Sequence, residues 1–235
     1  MKASHTVAVV SGGMDSVTLA HQLAHEGHEL TLISFNYGQR HSKELEFAAH
    51  HAKILGADHH IVDLSCIKEL ISNSSLTNKD LEVPDGHYAH DTMKQTVVPN
   101  RNAIMLNIAA GLAVSIGAQH IATGVHGGDH YIYPDCRPAF IKTVDAMLCV
   151  ANEGFADPSF SVLAPFLHWT KADIAYIGAQ LGVDWNTTWS CYKGGEIHCG
   201  ACGTCFERRE AFTDAGITDP TNYLTTPNYD DPRYN

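Results

Sequence analysis

Apolar residues follow two rhythms along this chain, short continuous runs and longer stretches at helical spacing, and the two alternate. Val7-Ala8-Val9-Val10 is a continuous run that reads as a strand buried on both faces, after which Val17, Ala20, Leu23 and Ala24 take up helical spacing. The stretch from Leu30 to Phe35 predicts a second strand. Leu45, Ala48, Ala49, Ala52 and Leu55 predict a second helix, closed by Gly56, and His60 to Leu64 a third strand. From Ser65 to Gln95 neither rhythm holds, through SNSSLTNKD and VPDGHYAHD. A stretch of this length without periodicity in a compact domain reads as an excursion that covers a site. Ile104, Ile108, Leu112 and Ile116 then mark one face of a long helix, and His120 to Thr123 a fourth strand. Helical spacing returns over Phe140 to Val150 and Lys171 to Leu181. Strands alternating with helices predict the α/β class, a doubly wound, mostly parallel sheet with ligands at the carboxyl ends of its strands.

Composition narrows this picture. A chain of 235 residues with 44% hydrophobic content can fill the core of one domain, here read as residues 1–235. Its 26 acidic against 15 basic residues give a net charge of −11, which opposes an extended grip on a phosphate backbone, so a small-molecule substrate is expected rather than nucleic acid. No signal-peptide pattern and no bilayer-length apolar run is present, and the expectation is a soluble, cytoplasmic protein with no membrane partner. Most of the 16 histidines are scattered singly or sit in pairs such as His50-His51 and His59-His60, and read as solvated neutral rings.

The candidate chemistry begins where the first strand meets the first helix, in TVAVVSGGMDSVTLA. Gly12 and Gly13 let the backbone bring its N–H groups close to an anion, and Ser11 and Ser16 add hydroxyl donors at the positive end of the helix. No lysine follows as a Walker loop requires. Asp15 would repel a phosphate unless it acts through Mg²⁺ or caps the helix, and both readings stand.

A second cluster lies near the C-terminus, in SCYKGGEIHCGACGTC. Cys191, Cys199, Cys202 and Cys205 have the spacing C-x7-C-x2-C-x2-C, and Gly200 and Gly203 free the backbone for the turns between ligands. Four thiolates suit a closed, structural Zn²⁺ site. An iron–sulfur cluster and a redox-active thiol pair are the alternatives, with His198 as a substitute ligand; disulfides fit poorly without a secretion signal. Cys66, Cys136 and Cys149 stand apart and read as simple buried or half-buried residues.

SGGMDS resembles the SGGxDS loop of the ATP pyrophosphatases at all its fixed positions, Ser11, Gly12, Gly13, Asp15 and Ser16. YGQRH (37 to 41), TVVPNRN (96 to 102), GVHGGDHYIYPDCRPAFI (124 to 141) and TTWSCYKGG (187 to 195) resemble the corresponding stretches of the 7-cyano-7-deazaguanine synthase family, in order from about Val7 to Tyr223. The resemblance implies an adenine nucleotide alpha hydrolase-like fold with a zinc-binding segment over 187–215 that carries the four clustered cysteines. It implies a ligase that makes 7-cyano-7-deazaguanine from 7-carboxy-7-deazaguanine, ammonia and ATP with Mg²⁺, acting as a homodimer on the route to queuosine.

By the same resemblance, Val9, Val10, Ser11, Gly12, Gly13, Met14, Asp15, Ser16, Val17, Thr18 and Leu19 form the nucleotide-binding stretch. Asp15, Arg101 and Lys171 are the catalytic candidates, and Tyr37, Arg101, Asp129, Tyr133, Asp135 and Arg137 the substrate-binding ones. Arg101 suits a substrate carboxylate or an ATP phosphate, the aspartates suit the N–H edge of a guanine-like base, and Tyr133 suits its face. Other readings remain for several: a helix cap for either aspartate, a pairing role for Arg137, a solvated lysine for Lys171. A tRNA-thiolating or lysidine-forming relative is the rival enzyme class, disfavoured by the net charge.

Overall fold

A computed structural model describes residues 3–40, 43–88 and 91–227. His41 of YGQRH and Ala89 and His90 of the excursion lie outside the described residues. Five strands form one parallel sheet in the order β3-β2-β1-β4-β5: β1 (His5–Val9), β2 (Glu29–Asn36), β3 (Asp58–Asp63), β4 (His120–Ala122) and β5 (Ser161–Leu163). The helices are α1 (Met14–His25), α2 (Lys43–Leu55), α3 (Arg101–Ile116), α4 (Pro138–Ala151), α5 (Lys171–Gln180) and α6 (Gly203–Asp214).

Alternate residues of the central strands feed two cores, one on each face of the sheet. Ala8, Val10 and Leu32 pack with Leu19 and Leu23 of α1, Ala48 of α2, Ile174 of α5 and Phe212 of α6. Val7, Ile33 and Phe35 pack with Leu106 and Ala110 of α3 and Val144 and Leu148 of α4 on the other side. This two-sided burial is why β1 and β2 read as unbroken apolar runs.

Two elements depart from the periodicity. β5 is only three residues long and half-buried, too short to leave a run, and it completes the sheet beside β4. α6 shows no apolar stripe, because its buried face carries Glu207 and Arg208 as well as Phe206 and Phe212. The Arg208 guanidinium is fully buried and donates to Thr188, Ser190, Thr221 and the Trp185 carbonyl, which replace the water it gives up.

The excursion is partly ordered, with 3₁₀ turns at Ser65–Ile71 and Asp91–Thr96. Arg40 fastens it by donating to the carbonyls of Asn78 and Leu81, and the Gly86 N–H donates to Ala201 at 3.0 Å, reaching the cysteine segment. Among the described residues, no helix is long and apolar enough to cross a membrane.

Candidate active site

β1 lies between β2 and β4, so the chain winds to one side from β1 to β3 and to the other from β4 to β5. A crevice opens where the winding reverses, beyond the carboxyl ends of β1 and β4, and ligands of such sheets bind there. Its lining falls into two chemical halves.

The first half is built on the loop between β1 and α1. Ser16 Oγ accepts from the Ser11 N–H at 3.1 Å and donates to the Gly13 carbonyl at 3.1 Å, closing the loop on itself. The N-cap residue of α1, Gly13, has no side chain to cap with, so the first N–H groups of the helix face the crevice. Gly12 has φ +91°, and a Cβ there would run into the backbone carbonyl of Glu44, so the first turn of α2 lies directly on the loop. The Gly12 carbonyl in turn accepts from the Trp189 N–H at 2.9 Å, tying the loop to the cysteine segment.

Lys171 bridges Asp15 at 3.1 Å and Glu207 at 2.6 Å. Burial opposes its charge, but Asp15 and Glu207 outweigh that effect and hold the ammonium protonated. Burial conversely pushes the Glu207 carboxyl up, against the pull of Lys171. His126 is 1% exposed and its Nδ1 accepts from the Gly128 N–H, which places the proton of the neutral ring on Nε2. That atom faces Asp129 at 3.6 Å and Asp15 at 3.9 Å.

The second half is aromatic. Phe35, Tyr37, Tyr133, Tyr192 and Met105 line it, with Glu44 from α2 and Arg101 from α3 as charged groups. Arg101 opens α3 directly after Asn100, which sits in the left-handed region at φ 59°, ψ 17°. Among the described residues, Asn100 is the one non-glycine with positive φ. That turn aims the guanidinium into the crevice, and backbone strain concentrates at such points. Burial pushes the Tyr37 hydroxyl up, and the neighbouring Arg101 guanidinium pulls against that rise. Glu44 is buried, and burial pushes its carboxyl up to about 8 even though Arg101 and Gln39 pull it down.

The crevice therefore brings together Val9, Val10, Ser11, Gly13, Met14, Asp15, Ser16, Tyr37, Arg101, Asp129, Tyr133 and Lys171 of the residues singled out in the sequence. The others lie elsewhere. Gly12 supports the loop from behind; Val17, Thr18 and Leu19 are buried in α1, with Val17 and Leu19 in the core. Asp135 caps α3 by accepting from the Asn102 N–H at 3.1 Å. The exposed Arg137 donates to the His130 and Tyr131 carbonyls and does not line the crevice. Lys171 is ion-paired and nearly buried, not a solvated lysine. Glu44, Tyr192 and Glu207 line the crevice without having been singled out, since one charge or ring in a polar stretch leaves no periodic trace.

Behind the aromatic half, the sulfur atoms of Cys191, Cys199, Cys202 and Cys205 all lie within 4.8 Å of one another, a cluster that could hold a metal ion. The N–H groups of Ala201 and Cys202 donate to the Cys199 sulfur at 3.4 and 3.3 Å, an arrangement that supports a thiolate. His198 is turned away, its Nε2 accepting from the Ser190 N–H and its ring lying on Trp189, so it does not take the place of one of the four sulfurs.

The model of the family described as Queuosine biosynthesis protein QueC matches residues 5–216. A 7-cyano-7-deazaguanine synthase from Paracoccus denitrificans is 56% identical over 218 residues, covering 93% of this chain and 92% of that protein. One from Brucella ovis is 58% identical over 219 residues, covering 93% of each. Among solved structures, the NMN synthetase from Francisella tularensis aligns with 79% of this chain and 64% of that one, at 15% identity and a TM-score of 0.49.

Proposed function

The chain belongs to the QueC family of queuosine biosynthesis proteins, and on that premise we propose how its crevice carries out the ATP-dependent conversion of 7-carboxy-7-deazaguanine and ammonia to the nitrile. Its activity is that of the 7-cyano-7-deazaguanine synthases. The observation that carries the residue-level reading is the joining of an anion-binding loop and an aromatic half with Glu44 and Arg101 in one crevice.

Turning a carboxylate into a nitrile removes two oxygens, and neither leaves unaided. The carboxylate attacks the α-phosphorus of ATP, giving the acyl adenylate and pyrophosphate. Ammonia adds to the acyl carbon, and AMP leaves with the first oxygen to give the amide. The amide oxygen then attacks the α-phosphorus of a second ATP, expelling a second pyrophosphate, and loss of AMP and of both amide N–H protons leaves the C≡N bond. Ser11, Gly13, Ser16 and the first N–H groups of α1 receive the pyrophosphate, where the positive helix end favours the charge it gains. Lys171 moves its charge between Asp15, Glu207 and the phosphates. Arg101 holds the substrate carboxylate against the aromatic wall.

Asp15, whose Oδ1 is buried without a hydrogen-bond partner, and Asp129 are suited to Mg²⁺ entering with ATP, which neutralises phosphate charge. The four thiols fit Zn²⁺, which would stabilise the fold of segment 187–215 within a single domain over residues 1–235. The chain is read as a cytoplasmic homodimer. Incubation with 7-carboxy-7-deazaguanine, ATP and ammonium, followed by mass spectrometry, should yield the nitrile with AMP and pyrophosphate in equal amounts. ADP and orthophosphate as primary products would overturn the adenylation scheme.

A further inference from the structure

The aromatic half of the crevice holds two charged side chains set apart from the phosphate loop's own donors, Glu44 and Arg101. They enter from different elements, the first turns of α2 and α3, and lie close enough for the guanidinium to pull on the carboxyl. Gln39 holds this corner in shape: its side-chain oxygen accepts from the Tyr37 N–H at 2.9 Å, its amide nitrogen donates to the Phe35 carbonyl at 3.1 Å, and its amide favours the ionised form of the Glu44 carboxyl. The corner thus holds a carboxyl group and a guanidinium fork in one lining with the rings of Phe35, Tyr37, Tyr133 and Tyr192.

That order matches one kind of base. The edge of a guanine-type ring carries an amino group, then a ring N–H, then a carbonyl oxygen: donor, donor, acceptor. An adenine edge sets a ring nitrogen lone pair beside its amino group, and a carboxylate would meet that lone pair with repulsion. We propose that Glu44 is the specificity-determining residue of the crevice, its carboxylate accepting from the 2-amino group and ring N1–H of the deazaguanine while Arg101 donates to the 6-oxo group. The assignment rests on the reaction proposed above. It also fits Arg101's part in that reaction, because the 6-oxo and 7-carboxyl groups lie on the same flank of the ring and one planar fork reaches both. Two N–H donors from the ligand favour the ionised carboxyl and so oppose the burial that disfavours it.

The test uses the 2-deamino analogue, 7-carboxy-7-deazahypoxanthine. Calorimetry with the intact wild-type protein should show the guanine-type acid binding about 100-fold more tightly than the analogue, the size expected when a buried acceptor loses its donor. In Glu44→Gln, whose amide cannot accept from both donors, the two affinities should fall within about threefold of each other. Equal affinities in the wild type, binding of neither compound, or a Glu44→Gln protein that keeps the wild-type preference would overturn the assignment. The wild-type comparison needs no variant, so a poorly folded Glu44→Gln protein does not shield the claim. AMP release measured in parallel separates the two proposals: preference in binding without turnover faults the reaction, and turnover without preference faults Glu44 alone.

Discussion

Each charge in the crevice is held by neighbours whose position follows from an element, and single substitutions there should be read through those neighbours. Arg101 stands at the start of α3 behind Asn100 and beside Tyr37. Arg101→Ala should lower kcat/KM by about 10²-fold or more while the melting temperature and metal content stay near wild type, since a guanidinium–carboxylate contact of about 3 kcal/mol is removed from the ligand and not from the core. Wild-type turnover in that variant would remove Arg101 from the reaction. At this scale the sequence was legible where a residue type is rare in its setting, as with Asp15 beside a phosphate loop. It was not legible where function depends on what a side chain meets across the fold. Asp135 and Asp129 look alike in the chain, a few residues apart, yet one caps α3 and the other lines the crevice. For Lys171 the sequence leaves a catalytic candidate and a solvated lysine side by side, and only the fold brings Glu207 of α6 against it.

The segment from Trp189 to Glu207 does two jobs as a unit. Cys191 and Cys205 belong to the sulfur cluster, while Trp189, Ser190, Tyr192, Thr204 and Glu207 line the crevice. Replacing any one of Cys191, Cys199, Cys202 or Cys205 by Ser should therefore lower metal content, melting temperature and activity together. A metal held by the four thiols would make its binding free energy part of the free energy of folding, on the order of 10 kcal/mol for structural Zn²⁺ in small peptides. Elemental analysis beside melting curves checks this, and a variant that loses activity at full stability and full metal content would point to a reactive thiol instead. The spacing of the cysteines announced the cluster because four thiols at short intervals are rare by chance. The helix that carries the last of them gave no periodic signal, since its buried face is filled by Arg208 and Glu207, whose partners come from distant parts of the chain. β5 escaped for a simpler reason: three residues cannot establish a period.

Over the whole molecule, two buried titratable groups set opposite slopes on stability against pH. Burial pushes Glu44 up to about 8, so its contribution is fully present below the unfolded value near 4.5 and is lost as pH rises through 8. Burial, with His21 adding to it, pushes His51 down to about 4; its ring accepts from His21 and donates to the Thr187 carbonyl. Its contribution is present above about 6.5 and is lost as pH falls through 4. Glu44→Gln should accordingly melt higher than the wild type at about pH 8.5 and coincide with it at about pH 4, a difference of a few kcal/mol at about 1.4 kcal/mol per pH unit. Coincident curves at both pH values would show that the carboxyl is not destabilising in the fold. Because the Glu44 carbonyl rests against Gly12 with no space for a methyl group between them, the spacing between the residue proposed to read the base and the loop proposed to catch the pyrophosphate is set by direct backbone contact. The crevice then acts as a ruler of fixed length, and an acid whose carboxyl stands one carbon further from its ring would seat correctly at one end and overshoot the mark at the other.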